Sequence, residues 1–448
     1  MYDIVIVGAG PSGCLAAKVL SSLGYSVAII TKNRNFNSIE GISDRVISTL
    51  KYYKFENTVK SLPSKSLRHA VWGNDTSYEN FETLIDREIF DGNMLSDLDN
   101  NIQIINGRCY SFSEKKGYWE ILNSGEEKPK ITSTFLVDAR GKSAIKKSNI
   151  LLKGPKTITL VRQYQCVENK TWSQVESSNI GWAWAASDGK TVYFQITIDP
   201  EVTPIKKDNL EDFFTDISKN FKIYKKLSES KLLKKRITAR DSTSIINGNA
   251  VSLNHINIGD SAMAVDPLSG SGIFQSLSST LAAIPVINSI LKEKNPEIAL
   301  DFYNKKILEI FLRFSRIGRD FYKDYNSDSD FYRERSSWPD TIPYDHKFDT
   351  GWNISLSPAI SNGIIEQVPS IISNHSHLGI SYYNNKLLAP IFNQLLAVFP
   401  DKVINIEIYN HLDSLNITEN QVMPLLHWVV KNGYFKVDGI SPSTPQKI

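Results

Sequence analysis

The sequence predicts an α/β protein, and three observations carry that prediction. The first 31 residues read as strand, glycine loop, helix and strand. Short apolar strands then alternate with helical patterns to about residue 138. A β-rich, aromatic segment follows over residues 158–198, and helical spacing takes over from Gly272. At 448 residues the chain has room for two or three domains and a full core.

Each element has its own signal. Tyr2–Val7 is an apolar run rich in Val and Ile, and Gly8-Ala9-Gly10-Pro11-Ser12-Gly13 follows it. Residues 14–23 keep helical apolar spacing, Gly24 and Tyr25 end that helix, and residues 26–30 form a second buried strand. This is one βαβ unit. Residues 46–53 and 86–98 read as helices, the latter with Phe90, Met94 and Leu98 at spacing four. Residues 101–105, 107–112, 118–122 and 134–138 read as strands. So do 159–166, 181–185 and Thr191–Ile198, by alternation and aromatic content. The Lys-rich run over 222–236 reads as a solvated helix face, and residues 250–258 as one strand. Helical spacing runs from Gly272 to Phe321, and Pro, Asn and Ser breaks separate short helices in the last 110 residues, such as 384–399 and 419–432.

Composition removes several classes of function. The chain is 41% hydrophobic and 22% charged, which excludes disordered and low-complexity proteins. Its net charge of +3, from 51 basic against 48 acidic side chains, gives no basic face for nucleic acid. No apolar run reaches the roughly 18 residues of a transmembrane helix, so no membrane partner is expected. Cys14, Cys109 and Cys166 are widely spaced and odd in number. They suggest neither disulfides nor a metal site, and they fit a reducing, cytoplasmic setting.

The glycine loop is the first piece of chemistry. Gly8 permits the tight turn, Gly10 lets a pyrophosphate approach the backbone, and Gly13 allows close helix–strand packing. Ser12 and the helix N-terminus supply donors and positive potential there. The βαβ context points to a dinucleotide. One departure stands out: the second strand ends at Thr31-Lys32, where a ribose-binding acid is usual. Thr31 still offers one hydrogen bond.

Two later segments resemble FAD-dependent monooxygenases of the hydroxylase and flavin halogenase superfamily. One is Asp138-Ala139-Arg140-Gly141-Lys142-Ser143; the other runs from Gly259-Asp260 through Asp266-Pro267-Leu268-Ser269-Gly270-Ser271-Gly272-Ile273. The resemblance implies that Asp260 binds a ribityl hydroxyl of FAD. It also implies that Pro267, Gly270, Gly272 and Ile273 lie by the flavin pyrimidine, where a helix N-terminus stabilises the charge of the reduced ring. Ile39-Glu40-Gly41-Ile42-Ser43-Asp44-Arg45 and Arg87-Glu88-Ile89-Phe90-Asp91 are similar to further family segments and bring Arg45 and Arg87 to the cofactor, the plain alternative for each being a surface arginine. Cys109 falls where the family lays backbone along the adenine.

Gly181-Trp182-Ala183-Trp184 resembles the halogenase W-x-W signature without its Ile-Pro, and Trp182 and Trp184 become candidates for the substrate pocket. The plain alternative is two strand aromatics on one face. A halogenase glutamate position holds Ser269, and the nearest lysine, Lys65, lacks the halogenase context, so oxygen insertion is favoured over halogenation. His69 is the best acid–base candidate, although a lone histidine is more often structural. Within the superfamily the chain resembles flavoprotein maturases that oxygenate a tryptophan of a partner amine or amino-acid oxidase during tryptophylquinone biogenesis. Phe331-Tyr332-Arg333-Glu334-Arg335, the stretch over 66–73 ending in Trp72-Gly73, and a C-terminal extension carry that likeness.

The resemblance therefore implies a Rossmann-like FAD-binding domain (1–60, 80–150 and 236–290), a β-sheet substrate domain (61–79 and 151–235) and a mostly helical C-terminal domain (291–448). It implies FAD, O2 and an external electron donor, either NAD(P)H or a separate reductase. The implied chemistry is aromatic hydroxylation through a flavin C4a-hydroperoxide, with a precursor oxidase as protein substrate. The alternatives are a hydroxylase of a free or carrier-tethered aromatic molecule, a halogenase, and a non-catalytic FAD chaperone or redox sensor.

Overall fold

The structure, a computed structural model, describes residues 1–32, 38–73, 76–124, 129–205, 207–227, 230–325, 328–341, 351–373, 376–415 and 417–438. The chain divides into two units. One comprises Met1–Ile284 and Ile310–Ile342, the other Pro285–Glu309 and Pro343–Ile448.

The first unit holds two large sheets. In the first, strands run in the order Val251–Ser252, His255–Asn257, Lys130–Asp138, Tyr2–Val7, Val27–Thr31, Gln103–Asn106. The last five are mutually parallel. Tyr2–Val7 is central, and Ile4, Val5, Ile6, Ala28 and Ile29 are buried on both faces, as a parallel sheet covered on each side requires. Cys109–Lys115 and Tyr118–Asn123 attach antiparallel beside Lys130–Asp138.

The second sheet has eight strands, ordered Leu232–Asp241, Ile158–Gln165, Thr191–Ile198, Gly181–Asp188, Thr171–Ser178, Ser66–Trp72, Thr76–Asp86, Ile39–Ile42. Its register sorts side chains to two faces, because directly paired residues point the same way. Trp182 pairs with Ser177 and Trp184 with Val175, which in turn pairs with Ala70. Ala183, Ala185, Phe194 and Ile196 occupy the opposite face, packed with Phe213, Phe214 and Ile217 of helix Leu210–Ser218 and with Phe221.

Three sequence expectations need correction here. The Lys-rich run is helical only over Lys222–Leu227; Leu232–Asp241 is a strand, and residues 228–229 lie outside the described residues. That strand pairs with Ile158–Gln165 alone, so it is an edge, where charged side chains discourage pairing with another chain. The expected strand over 250–258 is instead a hairpin turning between Val251–Ser252 and His255–Asn257. The long helical stretch also breaks, since Glu293 and Asn295 take positive φ between Gly272–Leu291 and Pro296–Asp324. Helix Gly272–Leu291 has the length and apolarity to cross a membrane, but 78% of its apolar window is buried inside the protein, as a core helix requires.

The second unit includes an antiparallel sheet, Asn353–Ser361, Ile364–Ser373 and Ser376–Ile380, that the helical reading of 291–448 did not foresee. Helices Leu388–Val398 and Glu419–Lys431 bury Phe392, Leu395, Leu426 and Val429 with Trp352 and Phe435. Thr418 and Gln421 form a capping box at the start of the last helix.

Candidate active site

Strand Tyr2–Val7 delivers the chain into the glycine loop. Gly8 has φ +110°, and a Cβ there would lie 2.5 Å from the Ala139 carbonyl oxygen. At Gly13 a Cβ would meet the Gly8 oxygen at 1.9 Å, so helix Pro11–Ser22 packs directly against the strand end. Gly10 differs. Its φ of −76° suits any residue, and a Cβ would meet nothing within 4 Å. Open space therefore faces the N-terminus of this helix, whose first amides lack intrahelical partners.

The Gly259–Ile273 segment comes to the same place. Ser12 Oγ donates to the Ser276 carbonyl oxygen at 3.1 Å, and Ser276 Oγ donates to Asp260 Oδ1 at 3.3 Å. Asp260 is reached by solvent, yet burial pushes its carboxyl up, with the charge of Glu40 adding and Arg87 opposing. A carboxylate that protein hems in and solvent still touches lines a crevice. Past it, Gly270 takes φ +59°, and neither Gly270 nor Gly272 has anything within 4 Å of a notional Cβ. Ser269 Oγ and Gln275 Nε2, flanking these glycines, are buried without a hydrogen-bond partner. Pro267 is exposed and Ile273 buried.

Arg45 is exposed, with its guanidinium 5.7 Å from the Phe274 ring centre, which brings it to the start of the Gly272–Leu291 helix. Arg87 is buried and ion-paired, donating to Glu40 Oε1 at 2.8 Å and to Asp91 Oδ1 at 3.2 Å. Burial alone would lower its pKa, but the two carboxylates more than offset that. Arg87 thus reaches the crevice through Glu40. Thr31 is buried, its carbonyl accepting from Gly107 N–H at 2.8 Å, while Lys32 is exposed. Cys109 lies in the core beside Ile105 and Ile121, and burial pushes its thiol up.

These residues fit FAD: two open glycine segments at helix N-termini, orphaned buried polar atoms beside one of them, and a crevice carboxylate between. Gly8, Gly10, Ser12, Gly13, Asp260, Gly270, Gly272 and Ile273 come together there, with Arg45 at the rim.

Trp182 is buried and Trp184 half-buried, on one face of the second sheet. On that side Leu268, from the 267–270 turn, packs into an aromatic cluster of Trp72, Trp182, Tyr322, Phe331 and Tyr332. Trp182 Nε1 donates to the Tyr322 hydroxyl at 3.2 Å, and Tyr322 donates to Asp266 Oδ2 at 2.9 Å. His69 is not brought to this face. It pairs with Gln174, which pairs with Ala185, and Ala185 with Phe194, so it belongs to the opposite, helix-covered side. Sequence reasoning passed over Glu40, Asp266 and Tyr322. The first two stand inside quoted motifs, but Tyr322 has no local signal, since its partners lie 56 and 140 residues away.

Comparisons with known proteins point to an FAD-binding fold. Residues 1–82 match the FAD binding domain family. A solved peptidyl tryptophan dihydroxylase, QhpG, described as essential for tryptophylquinone cofactor biogenesis, is 31% identical; the match covers 96% of this chain and 99% of that one, with a TM-score of 0.83. The flavin-dependent halogenase CmlS shares the fold at 13% identity, 97% and 95% coverage and a TM-score of 0.77. Tryptophan 2-halogenase from Chondromyces crocatus is 22% identical over 359 residues, 71% of this chain and 67% of that protein. Open glycine segments, crevice carboxylate and full-length similarity converge on one conclusion: the chain is an FAD-dependent oxidoreductase belonging to the monooxygenase and flavin halogenase-like family.

Proposed function

We propose that this protein is a monooxygenase that hydroxylates an electron-rich aromatic ring, and that the ring is a tryptophan side chain carried by a partner protein, a quinone-cofactor oxidase precursor. The observation that carries the reading is the aromatic face: Trp182, Trp184 and Trp72 adjoin Leu268 of the turn that the family lays by the flavin. Trp184, the half-buried member, is where a planar indole meets this face through offset and edge contacts, with the buried Trp72 and Trp182 backing it. The near-full-length similarity to a peptidyl tryptophan dihydroxylase supports the protein-borne substrate.

FAD, once bound and reduced by NAD(P)H or a separate reductase, supplies the activation of O2. The chain's own work is binding and exclusion. The residue 8–13 loop and the Gly272–Leu291 N-terminus hold negative charge, Asp260 accepts a hydroxyl, and the aromatic cluster keeps water from the reacting ring. Halogen chemistry is disfavoured by the side chains present. Ser269 offers no carboxylate, and Lys65 is exposed and paired with Asp44 at 2.7 Å.

The test supplies holoprotein with FAD, a flavin reductase, NADH and O2, and offers tryptophan-containing peptides, a folded oxidase precursor and free indole in parallel. Added oxygen mass on a protein or peptide tryptophan supports the reading. Oxygen on free indole alone would move the assignment to a small-molecule hydroxylase, and flavin oxidation with no oxygenated product would overturn oxygenase function.

A further inference from the structure

Asp266 stands between two structures with different tasks. Its Oδ1 accepts from Leu268 N–H at 2.9 Å and so caps the 267–270 turn. Its Oδ2 accepts from the Tyr322 hydroxyl at 2.9 Å, and Tyr322 accepts from Trp182 Nε1 at 3.2 Å. The direction of this chain is fixed by chemistry. An indole N–H only donates, so the Tyr322 oxygen must accept from Trp182, and its own hydrogen is left for Asp266. Both Asp266 oxygens then act as acceptors, the pattern of an ionised carboxylate; burial pushes the carboxyl up, and the Leu268 N–H, the charge of Arg335 and the Tyr322 hydroxyl oppose that and favour the charge. Asp266 is half-buried and immediately precedes the Pro267–Gly270 turn, while Tyr322 and Trp182 are 3% exposed each, so the chain of hydrogen bonds runs from that turn into the core.

We propose that Asp266 is an electrostatic tuning residue for the bound flavin: its negative charge, partly neutralised by the Tyr322–Trp182 donor chain, sets how readily the flavin accepts electrons. The proposal rests on the reading that FAD lies against residues 267–273. A fixed negative charge near a ring that becomes anionic on reduction opposes that reduction, and each donor to the carboxylate weakens the opposition. Nothing covalent is required of Asp266. Its function is to hold a charge in place, with Tyr322 and Trp182 as positioning residues.

The experiment measures the midpoint potential of FAD in the holoprotein by dye-coupled reduction, for wild type, Asp266→Asn, Tyr322→Phe and Trp182→Phe. Asp266→Asn should favour reduction by at least tenfold, about 30 mV upward for a two-electron couple. Tyr322→Phe keeps the ring and removes a donor, and should shift the potential downward. Trp182→Phe should follow Tyr322→Phe in sign with a smaller shift. Opposite signs separate charge tuning from loosened packing, which would move all three variants one way. Unchanged potentials, or shifts of one sign, overturn the proposal. Should Asp266→Asn fail to retain FAD, Tyr322→Phe decides alone: a potential unchanged or raised overturns it. Failure of the underlying reading shows separately, as wild-type FAD affinity in Asp260→Ala.

Discussion

Replacing Gly10 by valine separates folding from cofactor binding, because the same loop holds a glycine of the opposite kind. At Gly10 the backbone suits an L-residue and the added Cβ meets no protein atom within 4 Å. The apoprotein should lose only the helix-cap penalty, about 1 kcal/mol. Cofactor binding should suffer far more. If the side chain displaces two charge-assisted amide–phosphate contacts at about 1.5–3 kcal/mol each, FAD affinity falls roughly 150- to 20,000-fold. Gly13→Ala should do the reverse to the fold, since its Cβ would sit 1.9 Å from the Gly8 oxygen and helix or strand must move. A cost of about 1–3 kcal/mol or more is expected from such overpacking. The assay pairs thermal unfolding of both apoproteins with FAD fluorescence titration. A Gly10→Val protein that binds FAD like wild type would refute the assignment of that open space to the pyrophosphate. One that cannot fold would refute the claim that the space is open.

Other outcomes follow from the same geometry. Asp260→Ala should weaken FAD binding by about 1–3 kcal/mol, read by equilibrium titration. Because burial raises the Asp260 pKa above its unfolded value, its neutral form is the one the fold favours, and this stabilisation is lost as pH rises through the folded pKa. Asp260→Asn apoprotein should therefore gain thermal stability over wild type at neutral pH, and the gap should close towards acid; a gap that widens towards acid refutes the sign. Arg87→Met leaves Glu40 and Asp91 without their cation and should cost about 3–5 kcal/mol in denaturant unfolding. His69→Gln should leave oxygenated-product yield unchanged, and a tenfold loss would place that side chain back in the reaction.

Much of the candidate cleft was legible in the sequence because its geometry is backbone geometry. Gly8 and Gly13 have steric reasons that the spacing shows, Gly10 instead leaves open space at the helix N-terminus, and the Asp260 and Gly270–Gly272 positions follow from short local motifs. Side-chain direction was less legible. Whether His69 or Arg68 faces the aromatic side depends on how Ser66–Trp72 registers on Thr171–Ser178, and a one-residue slip reverses every side chain. The Asp266–Tyr322–Trp182 chain was invisible for a different reason: it joins a turn, a long helix and a strand that are close only in three dimensions. The Leu232–Asp241 strand was missed because lysines at a sheet edge look like lysines on a helix.

The Ser12–Ser276 hydrogen bond, spanning 264 residues, has a bearing on how the protein is made. Contacts of such long range close late, because the chain must first give up the entropy of the loop between them. A nascent chain that has emerged as far as the Rossmann-like strands carries one of the two open glycine segments and none of the other. With FAD held as proposed between those segments, flavin loading is tied to synthesis past residue 276, and until then Tyr2–Val7 and Val27–Thr31 present apolar strands that need shielding on the ribosome or by a chaperone. Expression under riboflavin starvation should consequently enrich a protease-sensitive full-length form rather than a stable N-terminal fragment.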